Sequence, residues 1–349
     1  MSRSATDSGP ADASAPLITV AIPTYRRPDL LRSAIESALD QTYRTTEILV
    51  SDSDASDEIA SLVEGYRDAR LRYRRNDRPT TGLENALAMY RDARGDLIAT
   101  LHDDDAWDPR FLEVMVQPLI DDPELVLTFA DHWVTDADGT IQPEATDAYS
   151  RERGRSALPE GRYQPFTRLA LVDRAVFFVA ATVFRNGVID WAEVPPEVAP
   201  PYEIWMTYLA SRDGRPAYYV PERLMRYRQH DTSAARSVRL EAGAVYTYDR
   251  IMTDPRLDYL RADLRRASAP FRASLGLSLL GEGSAAGARP HLMTAFADGA
   301  KFTAGVGLVL SLLPKPVRAL SIEQLRALRN RRSLRAVTGE RNWHGRRGG

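Results

Sequence analysis

Residues 18–57 read ITVAIPTYRRPDLLRSAIESALDQTYRTTEILVSDSDASD. This stretch joins a β-rich run to an amphipathic helix and returns to a second β-rich run, the pattern of a βαβ unit and hence of a parallel sheet. Residues 17–22 (LITVAI) form the expected first strand, ended by Pro23. Pro28 and Asp29 open the helix, and Leu30, Leu31, Ala34, Ile35, Ala38 and Leu39 follow its 3.6-residue period. Residues 47–50 read as the second strand.

The alternation continues downstream. Strands are expected at residues 71–74, 96–101 and 125–130, with crossover helices at 59–67 and 83–93. A further helix at 111–120 is opened by Asp108 and Pro109 and stops before Pro123. Residues 136–139 (DADG) read as a turn, and 143–161 show no clear period. Residues 177–184 suit a buried strand, and 202–210 have helical spacing. Beyond Val238 the chain is helical in character, with breaks at 281–287 and 314–316. The expected organisation is a disordered segment at 1–15, an α/β domain over 16–236, and a helical C-terminal region over 237–349 with a basic tail.

The 349 residues are 44% hydrophobic and 27% charged, which fits a globular chain of one large domain or two ordinary ones. The absence of cysteine excludes a disulfide framework, a thiol nucleophile, a thiolate-bound zinc and an iron–sulfur cluster, and makes the cytoplasm the expected setting. A net charge of −2 gives no reason to expect a nucleic-acid partner. That total hides an asymmetry, because residues 316–349 hold nine arginines against two glutamates. Lys301 and Lys315 are the only lysines beside 44 arginines, which reads as coding bias and gives no single arginine, Arg78 and Arg185 included, a strong claim on phosphate. No apolar run reaches the roughly 20 residues of a membrane-spanning helix. Residues 307–313 (GLVLSLL) are apolar all round, which fits a buried helix, a subunit interface such as that of a homodimer, or a segment lying on a membrane.

The chemistry concentrates at strand ends, where ligands of open α/β sheets bind. Residues 101–109 read LHDDDAWDP, and three adjacent carboxylates repel one another unless a cation compensates. A solvated acidic helix cap is the other reading. The first strand ends in Pro23-Thr24-Tyr25 and the second in Ser51-Asp52-Ser53-Asp54. Together these ends present a planar aromatic, a carboxylate acceptor and an acidic cluster, the parts that a flat base with a metal-bound diphosphate requires. Trp107 either lines a pocket or packs the following helix. No Gly-rich phosphate loop occurs, which disfavours a nucleoside-triphosphate hydrolase or a dinucleotide oxidoreductase.

Residues 18–57, GDLIATLHDDDAWDP at 95–109 and RPAYYVPERLMRYRQHDTS at 215–233 together resemble the family-2 glycosyltransferases, inverting enzymes of the GT-A fold. The resemblance implies a Rossmann-like mixed, mostly parallel sheet flanked by helices. It also implies a nucleotide-diphosphate sugar donor, UDP- or dTDP-linked, Mn2+ or Mg2+, and transfer to a hydroxyl or amine of an unidentified glycosyl acceptor. By that resemblance Pro23, Thr24 and Tyr25 would form the base pocket, with Tyr25 stacking, and Asp52 would hold the base edge. Asp103 would lie near the ribose or metal, and Asp104 would bind the metal together with Asp103 or Asp105. His230 matches a histidine that completes the metal shell in some members, or else it is a packing histidine.

Three positions depart from the family pattern. His102 replaces an aspartate of the usual DxD, and Ser53 replaces a second polar acceptor after Asp52. The family's catalytic base is an Asp of a Glu-Asp pair, which here falls on Pro200 and Pro201, neither able to take a proton. Glu203 is the candidate base, with Glu197 in the same Pro-rich loop; otherwise Glu203 is an acidic first-turn residue favoured by the helix dipole. A chain without a base would be an inactive sugar-nucleotide-binding partner of another transferase. A sugar nucleotidyltransferase would need a Gly-rich loop after the first strand, where residues 23–27 have no glycine. The basic tail would suit an anionic lipid surface, giving peripheral contact at the inner face of the membrane.

Overall fold

The computed structural model describes residues 15–176, 179–229 and 238–314, so the N-terminal segment up to Ser14, His230 and the basic tail lie outside the described residues. The opening βαβ unit consists of β1 (Ile18–Thr24), α1 (Pro28–Leu39) and β2 (Thr46–Asp52). It is followed by α2 (Asp57–Gly65), β3 (Leu71–Arg75), α3 (Gly82–Arg91) and β4 (Leu97–Thr100). These four strands lie parallel in the order β3-β2-β1-β4, with Ala21 opposite both Leu49 and Thr100. The chain then adds β5 (Ala106–Trp107), α4 (Phe111–Asp121), β6 (Leu127–Thr135), α5 (Pro143–Glu152), β7 (Gly161–Tyr163), α6 (Thr167–Leu171) and β8 (Thr182–Arg185). Next come α7 (Tyr202–Ser211) and β9 (Ala217–Arg228). β8 runs antiparallel between β4 and β6, β9 pairs parallel with β6, and β5 and β7 pair antiparallel with β9, which completes a mixed sheet.

Several expectations are corrected. β1 does not end at Pro23 but continues to Thr24. Ala21 carbonyl bonds on the β4 side and Thr24 carbonyl on the β2 side, so the alternation of the strand aims the missing Pro23 N–H past the end of β4. The expected strand at 177–184 is confined to β8, because only Val183, Phe184 and Arg185 find partners on β4; residues 177 and 178 lie outside the described residues. Within residues 143–161, where no period is visible, α5 is a regular helix. Its buried positions are Thr146 and Ser150, which bond Val134 N at 2.9 Å and the Asp131 carboxylate at 2.6 and 2.8 Å. A helix whose inner face is polar leaves no hydrophobic period to read.

Helices α1, α2 and α4 cover one face of the sheet around Leu31, Ile35, Ile59, Phe111 and Met115. The other face carries α3, α6 and α7 around Met89, Tyr90, Leu171 and Met206, and this core continues into α8 (Val238–Ile251) through Tyr248 and Ile251. Helices α9 (Arg261–Gly281), α10 (Ala285–Ala297) and α11 (Lys301–Ser311) pack around a third cluster. The apolar stretch 307–313 is buried on one side only: Gly307 and Leu310 face α10 and its neighbours, while Val309 and Leu312 are exposed. Among the described residues no helix is long and apolar enough to cross a membrane.

Two glycines allow approaches that a side chain would block. A Cβ on Gly95 would lie 2.5 Å from Thr19 N and 2.6 Å from Leu97 O, at the start of the β1–β4 ladder. A Cβ on Gly243 of α8 would lie 2.3 Å from the Pro200 carbonyl oxygen, so this helix presses directly on the loop that enters α7.

Candidate active site

After β4 ends at Thr100, residues 101–105 cross the strand ends and the chain resumes as β5 on β9, at the opposite end of the sheet order. This crossing carries the three aspartates over the carboxyl ends of the central strands. Asp103 Oδ2 accepts from Thr24 Oγ1 at 2.8 Å and Tyr25 N at 3.4 Å, so the ends of β1 and β4 are tied together. Arg27 Nη1 donates to Asp104 Oδ2 at 2.9 Å and lies 3.5 Å from Asp103 Oδ1. Asp105 Oδ1 accepts from Arg228 N at 2.9 Å, and Arg228 Nε donates to the Asp104 carbonyl at 2.9 Å. Burial, reinforced by the Asp104 charge, raises the pKa of Asp103 and raises that of Asp105 further.

The metal-ligand ambiguity is narrowed by these bonds. His102, Asp104 and Asp105 offer donor atoms that all lie within 4.8 Å of one another. Asp105 Oδ2 is buried without a hydrogen-bond partner and sits 4.0 Å from His102 Nδ1. Asp103 instead spends its carboxylate on Thr24, Tyr25 and Arg27. An orphaned buried carboxylate oxygen, a crowded acidic pair and one imidazole are a donor set that fits Mn2+ or Mg2+. His102, which the sequence marks only as a lost aspartate, thus joins Asp104 and Asp105 in the group whose geometry could hold an ion. His230 lies outside the described residues.

The base-binding expectations separate. Tyr25 stands at the rim with 51% of its surface exposed, next to Arg26, whose guanidinium lies 5.2 Å from the ring centroid. Arg26 is held by Asp54 through bonds of 2.7 and 3.0 Å. Asp52, expected to hold a base edge, is fully buried: it accepts from Asp54 N at 2.9 Å, Ser56 N at 2.6 Å and Tyr73 OH at 3.2 Å. In this conformation its carboxylate shapes the loop after β2 and does not face the cleft. Trp107 is buried and stacked on Phe111 at 4.4 Å, so it packs the following helix. Arg185 is bound to the Leu119 and Leu125 carbonyls, which makes it structural, and Arg78 pairs with Glu84 on the exposed surface. Residues 136–139 form the expected turn, and Arg228 Nη1 donates to the Ala137 carbonyl at 2.7 Å.

A cavity of about 500 Å³ opens beside the aspartates, with Asp103, Asp104 and His102 on one side and Glu203 on another. Glu203 lies in the first turn of α7, and burial pushes its pKa up to about 7 against the opposing effects of its own backbone N–H and then of the Arg153 charge. The helix-dipole reading of Glu203 predicts the opposite direction, so burial dominates. Glu197 is exposed in a one-turn 3₁₀ segment and does not line the cavity. Tyr149 and Arg153 from α5 and its end, Arg174 after α6, and Leu240 and Phe271 from the C-terminal helices close the remaining walls. None of these was legible as a site residue, since they come from segments with no period or no chemistry of their own.

Residues 19–177 match the model of Glycosyl transferase family 2. A UDP-Glc:alpha-D-GlcNAc-diphosphoundecaprenol beta-1,3-glucosyltransferase of Escherichia coli is 31% identical over 106 residues, 30% of this chain and 41% of that protein. The putative colanic acid biosynthesis glycosyl transferase WcaA of Escherichia coli K12 is 29% identical over 184 residues, 51% of this chain and 57% of that one. The chain thus spans about half the length, or less, of these relatives. The mannosyltransferase PcManGT of Pyrobaculum calidifontis, solved with GDP-Man and Mn2+, superposes with a TM-score of 0.54 at 16% identity over 94% of this chain and 89% of that one. This likeness is one of fold, and it covers the GT-A sheet together with the helical C-terminal region.

Proposed function

We propose that the chain is a metal-dependent inverting glycosyltransferase that uses a UDP- or dTDP-sugar in polysaccharide or glycoconjugate biosynthesis. The observation that carries this reading is Glu203, whose carboxyl, at a pKa of about 7, opens into the same cavity as the aspartate cluster. A base is most effective when its pKa lies near the working pH. Glu203 would take the proton from the acceptor hydroxyl as that oxygen attacks the anomeric carbon on the face opposite the departing diphosphate. His102, Asp104 and Asp105 would hold the divalent ion, which supplies positive charge to the leaving diphosphate. Asp103 fixes the end of β1 so that Thr24 and Tyr25 border the base pocket, and Asp52 keeps the neighbouring loop in shape. Arg27 lies where a diphosphate would enter, already oriented by Asp103 and Asp104.

The family relationship and the names of the relatives support a nucleotide-sugar donor, and the diphosphoundecaprenol in one of those names supports work at a membrane surface. Exposed Phe302, Val309 and Leu312 on and after α11 favour peripheral contact at the inner face. Glu203 in the cavity favours an enzyme over an inactive binding partner, despite Pro200 and Pro201. The test is a thermal-shift screen of UDP-, dTDP- and GDP-sugars with and without manganese or magnesium. A donor at about 100 times its dissociation constant stabilises the fold by about 2.7 kcal/mol. Metal-independent shifts, or none with any sugar nucleotide, would reject the proposal.

A further inference from the structure

Two arginines on the far wall of the cavity have no part in the donor site. Arg153 follows α5, with its guanidinium 4.9 Å from the Tyr149 ring centroid; Arg174 follows α6, 5.2 Å from the Phe271 ring centroid. Stacking on aromatic faces leaves the edge N–H groups of both free to be presented sideways. Among the described residues the only carboxylate within ion-pair range of either is Glu152, at 3.9 Å from Arg153 Nε and 3.6 Å from Arg174 Nη2. Glu152 is 64% exposed, so water screens it and it compensates little. Arg153 Nε is buried with no hydrogen-bond partner. Arg174 also adopts a left-handed backbone with φ 54°, a conformation that costs a non-glycine residue about 1 kcal/mol, and it lines the cavity. Burial, then the nearby Arg153 charge, lowers the pKa of Arg174, so the two cations repel each other in a partly dry setting.

Two such cations facing one cavity are relieved by an anion. The donor side is not the place for it: Arg27 there is already neutralised by Asp103 and Asp104. The Arg153 charge instead reaches Glu203. We infer that Arg153 and Arg174 form an anion subsite for a phosphate or diphosphate group carried by the glycosyl acceptor, close to the hydroxyl that Glu203 deprotonates. This rests on the proposed function and extends it from the donor to the acceptor. Two bound phosphoryl oxygens accept from the guanidinium edges, while the sugar of the acceptor extends toward Glu203.

The experiment is calorimetry of the full chain with inorganic pyrophosphate in EDTA, beside a separate titration of UDP with manganese. Pyrophosphate is expected to bind without metal, and Arg153→Gln with Arg174→Gln is expected to weaken it at least tenfold while the UDP–manganese affinity stays as it was. Should the glutamine pair unfold, Arg153→Lys with Arg174→Lys keeps both charges but loses the paired edge N–H groups, and is expected to weaken pyrophosphate about threefold or more. Pyrophosphate binding that is absent, needs metal, or is equal in wild type and variants overturns the subsite. Failure of UDP to bind with manganese, beside intact pyrophosphate binding, overturns the donor reading alone. Displacement of pyrophosphate by a polyprenyl-diphosphate sugar in detergent, but not by a sugar 1-phosphate, assigns the acceptor to a lipid. Displacement by the sugar 1-phosphate assigns it to a soluble phosphosugar, and displacement by neither overturns the inference.

Discussion

Replacing Glu203 by Gln removes a titrating group while keeping its size, and the structure sets the expected consequences for both stability and rate. In the folded chain the Glu203 pKa rises from its ordinary 4.5 to about 7. The rise corresponds to about 3 kcal/mol in favour of the protonated form. Between these two values the folded state holds a proton that the unfolded state has released, so stability falls as pH rises through this window and levels off above it. The wild type is therefore expected to lose about 3 kcal/mol from this group between pH 4.5 and 8, whereas Glu203→Gln loses nothing from it. Urea unfolding of both proteins at pH 5, 6, 7 and 8 isolates the effect, because the remaining titrations cancel in the difference. Transfer should rise with pH through about 7 in the wild type and fall by about 10²- to 10⁴-fold in the variant at pH 8. A stability difference that does not change with pH, or a variant keeping a tenth of the activity, refutes the assignment of Glu203.

Three other outcomes follow from the geometry. Asp105→Asn and His102→Ala should each weaken manganese-dependent UDP binding more than tenfold and leave the binding in EDTA unchanged, as read by calorimetry; equal affinity with manganese would return Asp103 to the ligand set. Asp131→Ala should destabilise the fold by about 3–5 kcal/mol in urea unfolding, because buried Arg155 loses the carboxylate 3.3 Å from its Nε. Gly243→Ala should lower transfer while sparing UDP–manganese affinity, since the added carbon displaces Pro200 and with it the entry to α7; a loss of UDP affinity would show that the disturbance spreads further.

The proposed donor half of the site is legible because its parts lie in short uninterrupted motifs. Thr24, Tyr25 and Asp103 to Asp105 close strands whose apolar runs are plain, and parallel pairing brings such ends side by side. His102 was obscured by comparison with a motif, since an imidazole in place of a carboxylate reads as a loss until Asp105 Oδ2 is found facing it. Asp52 is ambiguous for a different reason. A carboxylate after a strand serves equally well as a ligand acceptor or as a cap for the loop amides, and only the turn at Asp54 and Ser56 decides between them. The proposed acceptor half is hidden because α5 turns Thr146 and Ser150 inward, and because Arg153, Arg174 and Glu203 meet only through tertiary packing. Glu203 itself was visible as a candidate, but its proton affinity depends on what surrounds it.

That dependence gives the contact between Gly243 and Pro200 a consequence in time. As the chain leaves the ribosome, the strands that end at the aspartate cluster are complete before α8 exists, and N-terminal segments generally settle first. Until α8 docks on the Pro200 carbonyl and Leu240 and Phe271 seal the far wall, the burial that raises the Glu203 pKa is incomplete. A nascent or truncated chain can thus complete the strand ends that carry the aspartates while the burial of Glu203 still waits on the last third of the sequence.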